Sequence, residues 1–248
     1  MILFALAAAL AAAPERVDGW AITSDAERCT ATRTFGGRSP VTIRVNSRTT
    51  SDYAGNIWIL MPQGSPDWIG KSFVLKSSSG ARFIWPYAYM SQPPEGGVSL
   101  SGSLDVRDWA ALVGTSSLKV QIADIAPLTI ATGPMAPAMT ALKKCGDAIL
   151  RGWGVDPDRM VGLSVVPTSL FWNADYPIDA RLAKQQGRVV VIVGVGPSGE
   201  PGTCKVVVSS GSASLDSRTC ELVLERARYP KGTGQRWGIT STRWALSR

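Results

Sequence analysis

The chain has 248 residues, 45% apolar and 18% charged, with no histidine and a net charge of +7. This composition excludes a disordered polymer, and the length admits one large domain or two small ones. The missing imidazole removes the common Ser-His and Cys-His nucleophiles and most metal and haem ligand sets.

Residues 1–13, MILFALAAALAAA, are apolar and end in small side chains. They are fewer than the roughly 20 residues a helix needs to cross a bilayer. They read as a secretory signal peptide cleaved near Ala11, although the n-region lacks Lys and Arg. A degenerate membrane anchor is the rival reading. No later segment is long and apolar enough to span, so the mature protein is expected to be soluble.

Residues 14–150 read as a β-rich domain, a sandwich or partial barrel ending in a helix. Short strands are expected at 20–24, 29–35, 41–46, 56–61, 72–77, 82–89, 118–124 and 127–132, with polar turns between them. A short helix is expected over Ser103–Gly114 and a longer one from Pro134 to about Leu150, with Met135, Met139, Leu142, Cys145, Ile149 and Leu150 on its apolar face. Trp58, Trp85, Trp109 and Trp153 are expected in cores. No ligand for this domain can be read from its residues. Residues 151–172 hold Gly152, Gly154, Pro157, Gly162 and Pro167, which deny them a regular element, and form a connector whose Trp153, Phe171 and Trp172 dock on a surface.

Residues 173–248 read as a helix from Ile178, a valine-rich strand from Arg188, a second from Cys204, a helix opened by Ser212 or Ser214, and a third strand over Arg236–Leu246. Two helices on one face of a three-stranded antiparallel sheet satisfy that order. This part holds eleven Lys/Arg against six Asp/Glu and so carries most of the positive charge. Such a field suits anionic partners, though a solvated surface explains it equally; the pattern is not that of a nucleic-acid module.

Tyr176-Pro177 with Ala180, the Gly187 that opens the valine strand, Val207–Gly211, Leu215-Asp216 and Arg228-Tyr229-Pro230 together resemble the C-terminal domain of TonB-family proteins. The resemblance covers under a third of the chain. It implies a periplasmic location in a Gram-negative envelope and a partner such as an outer-membrane receptor peptide or another envelope protein, with peptidoglycan contact and self-association as further options. Neither the family's long Pro-rich spacer nor its coupled membrane helix is expected in this chain. Its binding role is therefore carried over, and proton-motive transduction is not.

The four cysteines, Cys29, Cys145, Cys204 and Cys220, permit three pairings. Cys29–Cys145 and Cys204–Cys220 are expected, because each then closes within one domain. Gly194–Gly199 satisfies G-x-G-x-x-G after a strand, with Asp216 further on. The dinucleotide mechanism needs a helix to start at those glycines, and Pro197 and Pro201 stand there instead, so a hairpin loop is expected. Ser72 and Ser77 lie beside Lys71 and Lys76, but strand neighbours point to opposite faces. Asp105 with Asp108 and Asp156 with Asp158 suit capping better than acid–base work. No enzyme, cofactor or metal is expected.

The third strand of such a sheet lies at an edge, where alternate main-chain groups have no partner. The expected partner-binding residues are Asn173, Tyr176, Arg236, Trp237, Ile239, Thr240, Thr242 and Arg243, with an extended peptide adding as a further strand. The alternatives are a structural or self-assembling protein, whose edge is protected by its own arginines or by residues 151–172, and an unrecognised enzyme.

Overall fold

The computed structural model describes residues 14–36, 39–47, 55–69, 71–83, 89–91, 96–163 and 170–246. The expected signal peptide and Trp85 lie outside them. The chain opens with β1 (Glu15–Val17) and β2 (Trp20–Ser24), joined through Asp18-Gly19, both at positive φ. That is the two-residue turn whose twist matches a hairpin. There follow β3 (Cys29–Phe35), β4 (Val41–Ser47), β5 (Gly55–Met61), β6 (Phe73–Ser77), β7 (Arg82–Phe83), β8 (Tyr89–Ser91) and β9 (Val98–Leu104). Helix α1 (Val106–Val113), β10 (Ser117–Ile122), β11 (Leu128–Ala131) and helix α2 (Ala136–Gly152) complete this part.

Seven strands form one sheet in the order β1-β2-β3-β4-β5-β9-β8, and four form a second, β11-β10-β6-β7. The sheets share one core. Trp20, Ile43, Ile57, Ile59 and Leu100 come from the first and Leu75, Phe83, Leu118 and Val120 from the second, with Leu112 of α1 and Met139 and Leu142 of α2. Alternation along β5 sends Ile57, Ile59 and Met61 inward. Trp58 therefore stands half-buried on the outer face, not in the core as expected. Strand β9 was not anticipated: VSLSGSL alternates correctly but has only one β-branched residue. Helix α1 starts late because Asp105 caps it, accepting from the Arg107 and Asp108 amides while Asp108 accepts from the Asp105 amide.

The last part contains α3 (Ile178–Leu182), β12 (Gly187–Val195), β13 (Pro201–Val208), α4 (Ala213–Arg226) and β14 (Arg236–Trp244), with sheet order β13-β12-β14. The strands of the Gly194–Gly199 motif pair as a hairpin, so no phosphate-binding helix start exists there. Val189, Val191, Val193 and Val195 of the central strand pack with Leu215, Leu222 and Val223 of α4. Val190 and Ile192 face the other way, into a cluster with Ile239, Leu150 and Val155 and the partly buried Trp153 and Met160. Burial on both faces explains why β12 reads as an unbroken apolar run. The end of α2 and the connector are thus the rear wall of this sheet. Arg188 also pairs with Glu27 of the β2–β3 turn, and Lys205 Nζ donates to the Trp153 carbonyl at 3.3 Å.

Both disulfides form as expected: Cys29–Cys145 joins β3 to α2 and Cys204–Cys220 joins β13 to α4. Among the described residues no helix is long and apolar enough to cross a membrane.

Candidate functional site

Strand β14 pairs on one side only, antiparallel to β12 and without a register shift, from Gly187 opposite Trp244 to Val195 opposite Arg236. In such a ladder the amide and carbonyl of every second residue point away from the partner strand. The phase is fixed by the Trp237 carbonyl, which accepts from the Val161 amide at 2.8 Å on the outer side. Trp237, Ile239, Ser241 and Arg243 therefore turn their main-chain groups outward. Met160 forms a parallel bridge with Trp237, so the connector occupies the N-terminal end of this edge. Beyond it, the outward groups of Ile239, Ser241 and Arg243 have no hydrogen-bond partner among the described residues.

Side chains along the edge divide by face. Ile239 is fully buried against the rear wall and Trp237 is half-buried beside Met160. On the helix side, Gly238 leaves room for the Tyr229 ring, which would stand 2.4 Å from a Cβ there. Thr240 is buried, and Thr242 is half-buried. Arg236 is only 9% exposed and donates to the Pro230 and Gly196 carbonyls at 2.6 and 2.7 Å. It clips the β12–β13 loop to the segment before β14. Arg243 is exposed and sits opposite Arg188.

Tyr176 is buried, its hydroxyl donating to the Gln185 carbonyl and its ring edge-on to Trp244 at 5.3 Å. Asn173 is exposed, and its carbonyl accepts from Arg181 at 3.1 Å. Because Tyr176 touches the last residue of β14 within the core shared with α4, the turn Asn173–Asp175 stands near the C-terminal end of β14 on its helix side. Of the eight expected residues, then, Asn173 and Arg243 present exposed side chains, and Trp237 and Thr242 present partly covered ones. Tyr176, Arg236, Ile239 and Thr240 shape the fold beneath, while Ile239 also offers main chain.

Two carboxylates hold this frame. Asp175 is buried and binds Arg226 through both oxygens at 2.6 and 2.9 Å, Arg218 at 3.3 Å and the Trp172 amide at 2.8 Å. Asp216 accepts from the Ser209 hydroxyl at 2.6 Å and from the Ser210 amide and hydroxyl at 2.9 and 2.7 Å, closing the turn into α4. Nothing in sequence spacing linked Asp175 to Arg226, or Met160 and Val161 to the edge. Those contacts join distant segments.

The Arg226 hydrogen bond, reinforced by the Trp172 amide and both arginine charges, outweighs burial and holds the Asp175 carboxyl below its ordinary value of 3.8. A depressed folded value means its stabilisation is complete above the ordinary value and is lost as pH falls through the folded one. Asp175→Asn is expected to lower the melting temperature at pH 7 by about 5 °C. The difference from the parent should shrink toward the acid limit, followed by circular dichroism melts from neutral to strongly acidic buffer. A constant difference across that range would show that shape rather than charge is what Asp175 supplies.

Among the described residues no group of three or more His, Cys, Asp or Glu is placed to hold a metal ion. Residues 173–243 match the family model of the Gram-negative bacterial TonB protein C-terminal domain, which supports an interaction of this module with cell-envelope partners in general. No curated protein matches the chain. Among solved structures, invasion associated protein b from Bartonella henselae is 18% identical, with 53% of this chain and 96% of that one covered at a TM-score of 0.41.

Proposed function

We propose that this chain is an exported, periplasmic binding protein whose C-terminal module takes up an extended segment of an envelope partner as a strand beside β14. The observation that carries the reading is the outward main chain of Ile239, Ser241 and Arg243, without a hydrogen-bond partner among the described residues, beside a match to a partner-binding domain. Strand addition draws affinity from such groups and selectivity from the side chains around them. Asn173, Trp237, Thr242 and Arg243 are placed to supply that selectivity. The module passes on no proton-motive force in this reading, and acts as an adaptor.

The bridge between Met160 and Trp237 favours a second reading, in which residues 151–172 protect the edge and the module is purely structural. Ser241→Pro separates the two. Ser241 has an outward amide and a half-buried side chain, so proline there removes a group that only a partner would use. With a photo-crosslinking residue at position 243, the parent protein is expected to capture an envelope partner from membrane extract. Ser241→Pro should reduce capture at least tenfold, about the worth of one or two main-chain bonds with the accompanying clash, with an unchanged circular dichroism spectrum. Undiminished capture by the folded variant would move the site elsewhere and leave the structural reading in front.

A further inference from the structure

The outer face of the seven-stranded sheet carries a group of polar and aromatic side chains that the C-terminal module does not use; of these only Asn46 is buried, its Oδ1 accepting from the Asn56 amide at 2.9 Å and its side-chain amide nitrogen remaining. Cross-strand register arranges them in two rows. Thr23, Thr30 and Asn46 lie side by side across β2, β3 and β4; Thr32, Arg44 and Trp58 do so across β3, β4 and β5. Directly opposed side chains in an antiparallel sheet lie about 4.5–5.5 Å apart at Cβ, so each row is a continuous strip. Asp25 and Arg28 of the β2–β3 turn, joined by their own 3.2 Å ion pair, close one end. Together these residues line a depression of about 360 Å³.

Its chemistry is specific. Arg28 is answered by Asp25, whereas Arg44 is exposed and has no carboxylate within ion-pair distance among the described residues. Its opposed neighbours are Thr32 and Trp58, not the acidic cross-strand partner that would quiet a solvated cation. Trp58 is half-buried, leaving part of a large apolar ring in a polar surround. A pyranose ring offers C–H groups to an indole face and hydroxyls to threonine and asparagine. A guanidinium takes a carboxylate through two parallel hydrogen bonds. One ring with both a sugar's hydroxyls and a carboxylate would satisfy the aromatic, the polar row and the unanswered cation together.

We propose that this depression binds an acidic saccharide, a sugar bearing a carboxylate, independently of strand addition at β14. The two surfaces sit close: Glu27, in the turn that walls the depression, pairs with Arg188, which lies opposite Arg243 at the far end of the β14 edge. The test uses the full chain titrated calorimetrically with an oligogalacturonate and with the same oligomer methyl-esterified. The acid is expected to bind at least tenfold tighter than the ester. Trp58→Ala should weaken both, while Arg44→Gln should weaken the acid alone, at least tenfold, and bring it to the level of the ester. Both side chains face outward, so the melting temperature should be retained. Absence of binding, equal binding of acid and ester, or binding indifferent to both substitutions would overturn the proposal; the last would mark general attraction to a basic protein.

Discussion

A fragment comprising residues 173–248 is expected to aggregate or to melt far below the intact chain, even though the family match begins at residue 173. The reason lies on the rear of its sheet. Val190, Ile192 and Ile239 are buried there, and Leu150, Trp153, Val155 and Met160, all upstream of the match, pack with them. Burying one such aliphatic side chain contributes about 1.5–3 kcal/mol, so baring three would remove roughly 5–9 kcal/mol as an upper bound. That rivals the whole stability of a small domain, about 5–15 kcal/mol. A fragment starting at residue 147 keeps the end of α2 and the connector, and is expected to unfold cooperatively as a monomer. Thermal melts and sedimentation velocity on the two fragments decide the matter. Melting within a few degrees of each other would show that the rear wall adds little and that the module is complete without it.

The same rear wall marks where sequence reading succeeded and where it stopped. The order of the C-terminal elements was legible because each carries its own local signal: Gly187 before a valine run, prolines in a hairpin loop, Ser212 capping α4 by accepting from the Leu215 amide. The unbroken apolar run of β12 announced burial on both faces, yet gave no hint of which segment supplies the second cover. Connector residues rich in glycine and proline look like a spacer, and their docking depends on contacts separated by dozens of residues. The edge position of β14 was likewise legible from element order. The Met160–Trp237 bridge that narrows it was not. In the N-terminal domain, alternation located most strands, but β9 escaped because serines fill its outward positions and Gly102 takes one of its inward ones. Hydrophobicity alone places Trp58 in the core, whereas the alternation of its own strand points it outward.

Removing the two disulfides separately is expected to cost unequal amounts, and the larger loss should come from Cys29→Ala/Cys145→Ala. Loop closure in the unfolded chain sets the expectation. That bond spans a sequence separation of 116, the other only 16. Chain entropy gives about 4.7 kcal/mol for a loop near a hundred residues and about 3 kcal/mol for one near fifteen. Position reinforces the difference. Cys29 is fully buried at the start of β3, and Cys145 fastens to it the helix whose far end walls the C-terminal sheet. Loosening α2 should therefore weaken both parts of the chain. Cys204–Cys220 only staples α4 to β13, a contact that Leu215, Leu222 and Val223 also hold. Urea titrations of the two double variants, followed by tryptophan fluorescence and by far-ultraviolet circular dichroism, give the comparison. The Cys29/Cys145 variant should lose about 4–5 kcal/mol and shift the transition of the C-terminal part as well. The Cys204/Cys220 variant should lose about 3 kcal/mol and leave the sandwich transition in place. Equal losses, or a C-terminal transition unmoved by freeing α2, would mean that the connector holds the rear of the sheet without help from the helix above it.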